Sequence, residues 1–246
     1  MQTNTTDYDF EKSHERIDEI LDGSDTSYEQ VDYIPSRDKL TFKNGFYVKC
    51  SALFVDMRDS STLPDKHKRP TLAKIYRSYI SEIVAIMNGN PLCKEIEIDG
   101  DCISGIYNTP YQNDINSVFS DSARINSLIN TLNCKYEKRN ITTIKAGIGI
   151  DYGRALMIKA GYSGSRLNKV VWMGDVLNHA SNLCNIANKD GNDPILVSGV
   201  IYGNLNEHNK GFLSKVWLES YYGGNVINIK MNEWYEENCT SNNSLW

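Results

Sequence analysis

The residues best suited to chemistry are carboxylates gathered around one predicted turn. The stretch KEIEIDGDCISGIY, residues 94–107, places four of them within seven positions: Glu95, Glu97, Asp99 and Asp101. Another carboxylate, Asp56, lies near the end of an apolar run. Two carboxylates at neighbouring strand ends repel each other unless one is protonated or a cation lies between them. The spacing therefore predicts that Asp56 and Asp101 share divalent cations of the kind that assist phosphoryl transfer. The alternative is that these acids are merely solvated on an open sheet face.

These acids need a framework that brings the two strand ends together. The predicted elements follow in the order strand, helix, hairpin, helix, strand, over residues 45–57, 71–87, 94–107, 115–136 and 141–153. β-branched and aromatic residues indicate the first strand, apolar residues at helical spacing indicate the first helix, and Asp99-Gly100 suits a tight hairpin turn. This order is that of an α+β domain with ferredoxin-like βαββαβ topology, an antiparallel sheet covered on one face by two helices.

The remaining sequence extends this unit at both ends. After it, a further strand pair is predicted at RALMIKAGYSG and KVVWMG, then a helix at DVLNHASNLCNIAN and a strand at ILVSG. Before it, residues 7–21 predict an amphipathic helix with an apolar face of Phe10, Ile17, Ile20 and Leu21. We divide the chain into an N-terminal helix and polar strap (1–44), one catalytic domain (45–235) and a C-terminal tail (236–246).

Composition excludes several classes of protein. A formal net charge of −5 argues against a nucleic-acid binder, which needs clustered basic residues. The chain shows neither an apolar signal region nor a run of about 18 apolar residues, so we expect a cytoplasmic protein without a membrane span. The six cysteines are scattered without a CxxC pair, and we expect them to be reduced.

Four motifs, taken together, resemble the class III nucleotidyl cyclases, the adenylate and guanylate cyclase superfamily. They are FVDMRDSS, EIDGDCISGIY, AGIGIDYGRALMIKAGYSG and VVWMGDVLNHAS, and their order and spacing are similar to that superfamily over roughly residues 46–200. The resemblance implies a class III cyclase domain with extra strands. It also implies a head-to-tail homodimer with shared active sites, a nucleoside triphosphate substrate, and two divalent cations, Mn²⁺ or Mg²⁺.

The resemblance assigns roles to particular positions. Asp56 and Asp101 match the two metal-binding aspartates, and the backbone carbonyl of Met57 matches a further metal ligand. Asn178 matches the asparagine that helps position the ribose and the transition state. By this resemblance the aspartates come from one subunit and the asparagine from the other.

Within the superfamily, the chain looks most like the bacterial pyrimidine cyclases of the Pycsar anti-phage system, which make cyclic CMP or cyclic UMP for a separate effector. Glu97 falls where adenylate cyclases read the base with a lysine and guanylate cyclases with a glutamate. Because a carboxylate only accepts hydrogen bonds, it favours CTP slightly over UTP and leaves GTP as an alternative. The second base-reading position falls on Val171, which predicts a small pocket read by shape. Phe46, Tyr47 and Tyr107 are candidates for narrowing it.

One position departs from the superfamily. Asn182 stands where an arginine usually stabilises the transition-state phosphate, so another cation is required. The candidates are Arg154, Lys159, Arg166 and Lys169, and the alternative for each is a solvated surface charge. Without such a cation the chain would be a nucleotide-binding sensor with a cyclase fold, and a ferredoxin-like interaction module is a further alternative. The presence of both aspartates and of Asn178 favours the enzyme.

Overall fold

The sheet that carries the carboxylates is assembled from strands far apart in the chain. The computed structural model describes residues 2–163 and 167–240, and within them nine strands form one sheet. The strands are β1 (Tyr28–Val31), β2 (Gly45–Met57), β3 (Cys93–Asp99), β4 (Cys102–Tyr107), β5 (Ala146–Tyr162), β6 (Leu167–Met173), β7 (Ile195–Ser198), β8 (Ser214–Lys215) and β9 (Tyr221–Gly224). The helices are α1 (Phe10–Leu21), α2 (Leu63–Lys66), α3 (Arg69–Asn88), α4 (Gln112–Glu137), α5 (Asp175–Ile186), α6 (Gly199–Asn204), α7 (Glu207–Lys210) and α8 (Ile229–Tyr235). In the described ranges no helix has both the length and the apolar character needed to cross a membrane.

The strand order confirms the predicted fold class. It is β3-β4-β2-β5-β7-β9-β8, with β1 beside β2 and β6 beside β5. The four strands β3, β4, β2 and β5 pair antiparallel, and α3 and α4 connect them in the βαββαβ order. The predicted ferredoxin-like unit therefore forms the centre of a larger sheet.

The strand β5 is longer than predicted. The sequence predicts separate strands on either side of residue 153, but residues 146–162 form one continuous strand. Its first part pairs with β2 over residues 146–158, and its second part pairs with β6 over residues 156–162. The chain changes partner here without changing direction, so a break in the apolar pattern does not mark the end of the strand.

Helices cover both faces of the central sheet: the two predicted helices lie on one face, and a third helix lies on the other. α3 and α4 pack on one face through a large buried cluster that includes Tyr79 and Phe119. α5 packs on the opposite face of β2 and β5 through Val176 and Ala180. A Cβ on Gly149 would lie 2.2 Å from backbone atoms of α5. This glycine therefore lets the helix lie directly on β5.

The N-terminal segment contributes a strand to the sheet in addition to the predicted helix. β1 runs parallel to β2, from the pair Tyr28 and Gly45 onward. α1 begins after Asp9, whose side chain accepts a hydrogen bond from the backbone of Lys12. No residue of α1 is buried, and its apolar face, including Phe10, is exposed on this chain.

The prediction that all six cysteines are reduced is wrong for one pair. Cys134, near the end of α4, forms a disulfide with Cys239, which follows α8. The partners are 105 residues apart, and no local spacing signals such a pair. The other four, Cys50, Cys93, Cys102 and Cys184, are free thiols, and burial raises the pKa of Cys50 to about 12.

Candidate active site

The structure brings Asp56 and Asp101 to one edge of the central sheet. Val55, near the end of β2, pairs with Ile103 of β4, which places the turn between β3 and β4 beside the end of β2. Gly100 has φ +64°, the conformation that a tight hairpin turn needs. The Asp56 side chain is 26% exposed, and its pKa is raised, first by burial and then by the negative charge of Asp101. The two carboxylates therefore lie close enough to repel each other.

A buried arginine partly offsets this charge. The guanidinium of Arg58 is 3% exposed, and its Nη1 lies 3.4 Å from Oδ2 of Asp56. The same side chain donates to backbone carbonyls in the last turn of α5, from Nη2 to Cys184 O at 2.5 Å and from Nη1 to Asn185 O at 3.3 Å. Arg58 therefore ties the end of β2 to the C-terminal end of α5, where a helix favours positive charge. Sequence reasoning missed this role, although the arginine lies two positions after Asp56.

The donor set at this edge suits divalent cations. Two carboxylates lie here, and Met57, the residue after Asp56, has its side chain buried in the core. Hard cations such as Mg²⁺ and Mn²⁺ prefer oxygen ligands. Residues 2–163 and 167–240 hold no cluster of three or more His, Cys, Asp or Glu side chains arranged for a metal ion. Arg58 offsets the charge of one carboxylate, and a cation would offset the rest.

Glu97 lies at a second, separate site. A cavity of about 150 Å³ opens beside it, and its apolar walls come from β4, β6 and α5: Ile106, Val170, Trp172 and Leu177. At its mouth Glu97 forms an ion pair with Lys169, and both side chains are more than half exposed. The hydrogen bond from Lys169 to Glu97 raises the pKa of the lysine. Glu97 therefore presents an acceptor and a neighbouring donor to a ligand, where the sequence suggested an acceptor alone.

Val171 does not line this cavity with Glu97. On β6 the cavity is lined by Lys169, Val170 and Trp172. A shape-reading role for Val171 stays a prediction. Trp172 is the large apolar group that sequence reasoning overlooked, and its buried Nε1 has no hydrogen-bond partner in the described part of the chain.

The three aromatic candidates for narrowing the cavity differ in position. Tyr107 is fully buried in the main core, whereas Phe46 belongs to an apolar cluster against which the cavity residues Val170 and Trp172 pack. Tyr47 lines a different and larger cavity of about 800 Å³, between β5, β6, α5 and α6. The alternation of β2 and β4 thus directs two of these rings into the protein interior.

Asn178 lies on the exposed face of α5, opposite Val176 and Ala180, which pack on the sheet. The next residue is His179, whose Nδ1 lies 3.4 Å from Oδ2 of Asp151. The exposed position of Asn178 leaves it accessible to a second subunit.

The four predicted replacement cations have different surroundings. Arg154 lies over the ring of Tyr47, 5.5 Å from its centroid, and Lys159 lies 5.1 Å from the centroid of Phe42. Lys169 pairs with Glu97. Arg166 lies outside the described residues. Of the three described candidates, Arg154 lines the large cavity next to α5.

Known proteins that resemble this chain are nucleotide cyclases. A uridylate cyclase from Gulbenkiania mobilis is 42% identical over 258 residues, covering 97% of this chain and all of that protein. A uridylate cyclase from Treponema porcinum is 37% identical over 239 residues, covering 96% and 83%. Another from Rhodovulum sp. (strain MB263) is 25% identical over 199 residues. No protein-family model matches the chain.

Solved structures share the fold at much lower identity. The adenylyl cyclase CyaB from P. aeruginosa has a TM-score of 0.62 at 18% identity, covering 74% of this chain and 95% of that one. The guanylyl cyclase Cya2 has a TM-score of 0.61 at 14% identity, covering 75% and 95%. With the class III cyclase fold and two relatives above 30% identity matched over nearly its whole length, the chain belongs to the uridylate cyclase family.

Proposed function

We propose that the protein converts UTP to cyclic UMP and pyrophosphate. The observation that carries this proposal is the pair of adjacent carboxylates, Asp56 and Asp101, at the sheet edge of a chain with two relatives at 42% and 37% identity that are named uridylate cyclases. In this reaction the ribose 3′-oxygen attacks the α-phosphorus. The bond from that phosphorus to the bridging oxygen of the β-phosphate breaks, and the hydroxyl proton passes to solvent.

The residues of the proposed site have three separate roles: metal binding, positioning of a metal ligand and orientation of the ribose. Asp56, Asp101 and the Met57 carbonyl would hold two divalent cations, Mn²⁺ or Mg²⁺, which supply activation of the 3′-hydroxyl and neutralisation of the triphosphate. Arg58 keeps the Asp56 carboxylate at the end of β2. Asn178 orients the ribose by hydrogen bonds.

The base is read by the pair of Glu97 and Lys169. Uracil presents an N3–H donor between carbonyl acceptors, so the carboxylate accepts from N3–H and the ammonium donates to O4. Cytosine presents the reverse order, an amine at C4 and an acceptor at N3. An isolated Glu97 favours cytosine, but the ion pair offers both kinds of group, and the relatives' substrate then favours UTP. The cavity of about 150 Å³ beside the pair suits a single-ring base better than guanine.

Two copies of the chain complete the site. We infer a homodimer in which Asp56 and Asp101 of one subunit face Asn178 of the other. The exposed position of Asn178 on α5 supports this arrangement. In the division proposed here, residues 45–235 form the catalytic domain, flanked by the segments 1–44 and 236–246.

The product acts as a second messenger in this proposal. Resemblance to the Pycsar cyclases supports a cytoplasmic enzyme whose cyclic pyrimidine nucleotide switches on a separate effector during phage infection. A catalytically weak sensor would have no need of two adjacent carboxylates whose mutual repulsion is relieved by metal ions.

The test is an assay of the purified full chain with Mn²⁺ and each of UTP, CTP, GTP and ATP separately, with products resolved by mass. Cyclic UMP plus pyrophosphate from UTP, absent with Asp101→Asn, supports the proposal. Nucleotide retention without any product overturns the enzymatic assignment in favour of a sensor. Cyclisation of CTP in preference to UTP overturns the assignment of the base.

A further inference from the structure

The imidazole of His179, next to Asn178, lies beside the buried carboxylate of Asp151, and neither group has a role in the reaction described above. Asp151 lies on β5 with its side chain only 6% exposed, and His179 on α5 is 66% exposed. The 3.4 Å separation of His179 Nδ1 from Asp151 Oδ2 lies within ion-pair range. A buried carboxylate is costly unless it is paired. The contact places Nδ1 of the imidazole toward Asp151, with Nε2 on the opposite side of the ring, and it is an ion pair when the imidazole is protonated.

His179 is important because α5 has no lysine or arginine that could stabilise negative charge. All twelve residues of the helix, DVLNHASNLCNI, are described, and none is a lysine or an arginine. Cyclisation concentrates negative charge on the oxygens around the α-phosphorus, and such charge is stabilised by positioned hydrogen-bond donors and cations. His179 is the one residue of α5 with a basic side chain.

The geometry directs His179 toward cavities large enough for a triphosphate. His179 and Asn182 are three positions apart, which places them side by side on the helix surface, and both line a cavity of about 430 Å³. With Asp151 and Arg154, His179 also lines the cavity of about 800 Å³. The uncharged Asn182 therefore has a chargeable neighbour on the same face of α5.

We propose that His179 is a catalytic residue, donating a hydrogen bond from Nε2 to the transition-state oxygens at the α-phosphorus, and that Asp151 is its positioning residue. This proposal rests on the proposed cyclase function. His179 replaces the charge that Asn182 lacks. No proton is transferred in this role, because the imidazole binds the developing charge and releases it when the products leave.

Arg154 is the rival for this role. It lines the same large cavity, and its charge is permanent. Its guanidinium, however, lies over the ring of Tyr47, and it projects from β5 instead of from the helix that carries Asn178. The two cations can be separated by mutation because they lie on different elements.

The experiment compares kcat and KM for UTP with Mn²⁺ in four single variants of the full chain: His179→Ala, Asp151→Asn, Arg154→Ala and, as a matched control, His208→Ala on α7. We expect His179→Ala to lower kcat about 100-fold with KM changed less than about threefold, since the lost contact exists mainly in the transition state. Asp151→Asn should lower kcat about tenfold, and it should have no further effect in the His179→Ala background. His208→Ala should match the wild type.

Rescue separates a catalytic cation from a structural histidine. The double variant His179→Ala/Asn182→Arg should recover at least tenfold of the lost kcat, whereas a role in packing alone would leave it unrescued. Normal kcat in His179→Ala, or loss of activity in Arg154→Ala alone, overturns the proposal. A wild type that forms no cyclic nucleotide would instead refute the proposed function, so the two failures are distinguishable. Unchanged unfolding midpoints exclude misfolding as the cause.

Discussion

Two pairs of carboxylates near the β3–β4 hairpin have opposite surroundings. Glu95 and Glu97 project from β3, and each is matched by its own cation from a distant part of the chain, Arg37 and Lys169. Asp56 and Asp101 share a sheet edge where Arg58 is the one basic side chain in ion-pair contact among the described residues. The acids of KEIEIDGD therefore fall into two groups. Glu95 and Glu97 form a pair neutralised by cations, whereas Asp101 joins Asp56 at an edge of the sheet that stays negative.

The difference shows how to tell a structural or recognition acid from a metal ligand. A paired carboxylate has its charge offset inside the protein, so a metal ion gains little by binding it. A partly buried carboxylate with a like-charged neighbour is unfavourable in the metal-free protein, as the raised pKa of Asp56 indicates. Binding a cation removes that cost, and this is the physical basis of the proposed metal site.

Removal of Asp101 should give the largest effect. We expect Asp101→Asn to lower kcat for UTP by at least about 1,000-fold, because a metal ligand acts directly on the reacting groups. The metal-free variant should unfold at the same or a higher urea concentration than the wild type, because it no longer repels Asp56. Loss of activity together with loss of stability would mean that Asp101 is structural. Asp99→Asn, at the neighbouring exposed position, is the matched control.

Metal binding should stabilise the protein more as pH rises, because the metal binds the ionised form of Asp56. Burial and the charge of Asp101 raise the pKa of Asp56 above 3.8, so the folded protein holds this proton more tightly than the unfolded chain does. The stability of the metal-free protein therefore falls as pH rises through the range above about 4, and added Mn²⁺ restores it by binding the ionised form. Thermal unfolding with and without Mn²⁺ should show a stabilisation that grows as pH rises above about 4 and levels off once Asp56 is fully ionised. A shift that is equal in Asp101→Asn would contradict the assignment.

Loss of Arg58 should mainly lower stability. Arg58→Ala leaves Asp56 without its ion-pair partner and removes the donors to Cys184 and Asn185. Breaking a buried ion pair costs about 3–5 kcal/mol, and the partial exposure of Asp56 reduces this to about 2–4 kcal/mol. Urea unfolding measures the loss. The double variant Arg58→Ala/Asp56→Asn should recover part of it, and an equally unstable double variant would show that the carbonyl contacts dominate.

The two pairs also differ in how much of them the sequence revealed. Asp56 and Asp101 could be predicted because each lies at the end of a strand or in a turn that the local sequence indicates. The βαββαβ order of elements then predicts that these strand ends are neighbours. The role of Arg58 depends on carbonyls 126 and 127 residues away, and the partner of Glu97 is 72 residues away. Val171 shows a different limit. A position matched by spacing does not show which side chains line a cavity, and Val171 is absent from the lining.

Exchanging the charges of Glu97 and Lys169 should change the base preference without unfolding the protein. Glu97→Gln alone should lower kcat/KM for UTP by about 10- to 100-fold, the effect of a lost hydrogen bond to a charged group. The double variant Glu97→Lys/Lys169→Glu reverses donor and acceptor, so we expect its preference to move from UTP toward CTP. Both measurements are ratios of kcat/KM for the two nucleotides. An unchanged ratio in the double variant would remove the pair from base recognition.

The smallest effect is expected at Arg37, the other cation of the neutralised pair. Its Nε donates to Oε1 of Glu95 at 2.7 Å, and its Nη2 contacts Oε2, so the guanidinium grips the carboxylate with two donors. Because most of the arginine is exposed, Arg37→Ala should lower the free energy of unfolding by only about 0.5–1 kcal/mol. Arg37→Lys should recover less than half of this, because an ammonium cannot reproduce the planar fork. If Arg37→Ala instead alters the ratio of UTP to CTP turnover as strongly as Glu97→Gln does, the Arg37–Glu95 pair reads the base as well, and the neutralised pair is a recognition site along its whole length.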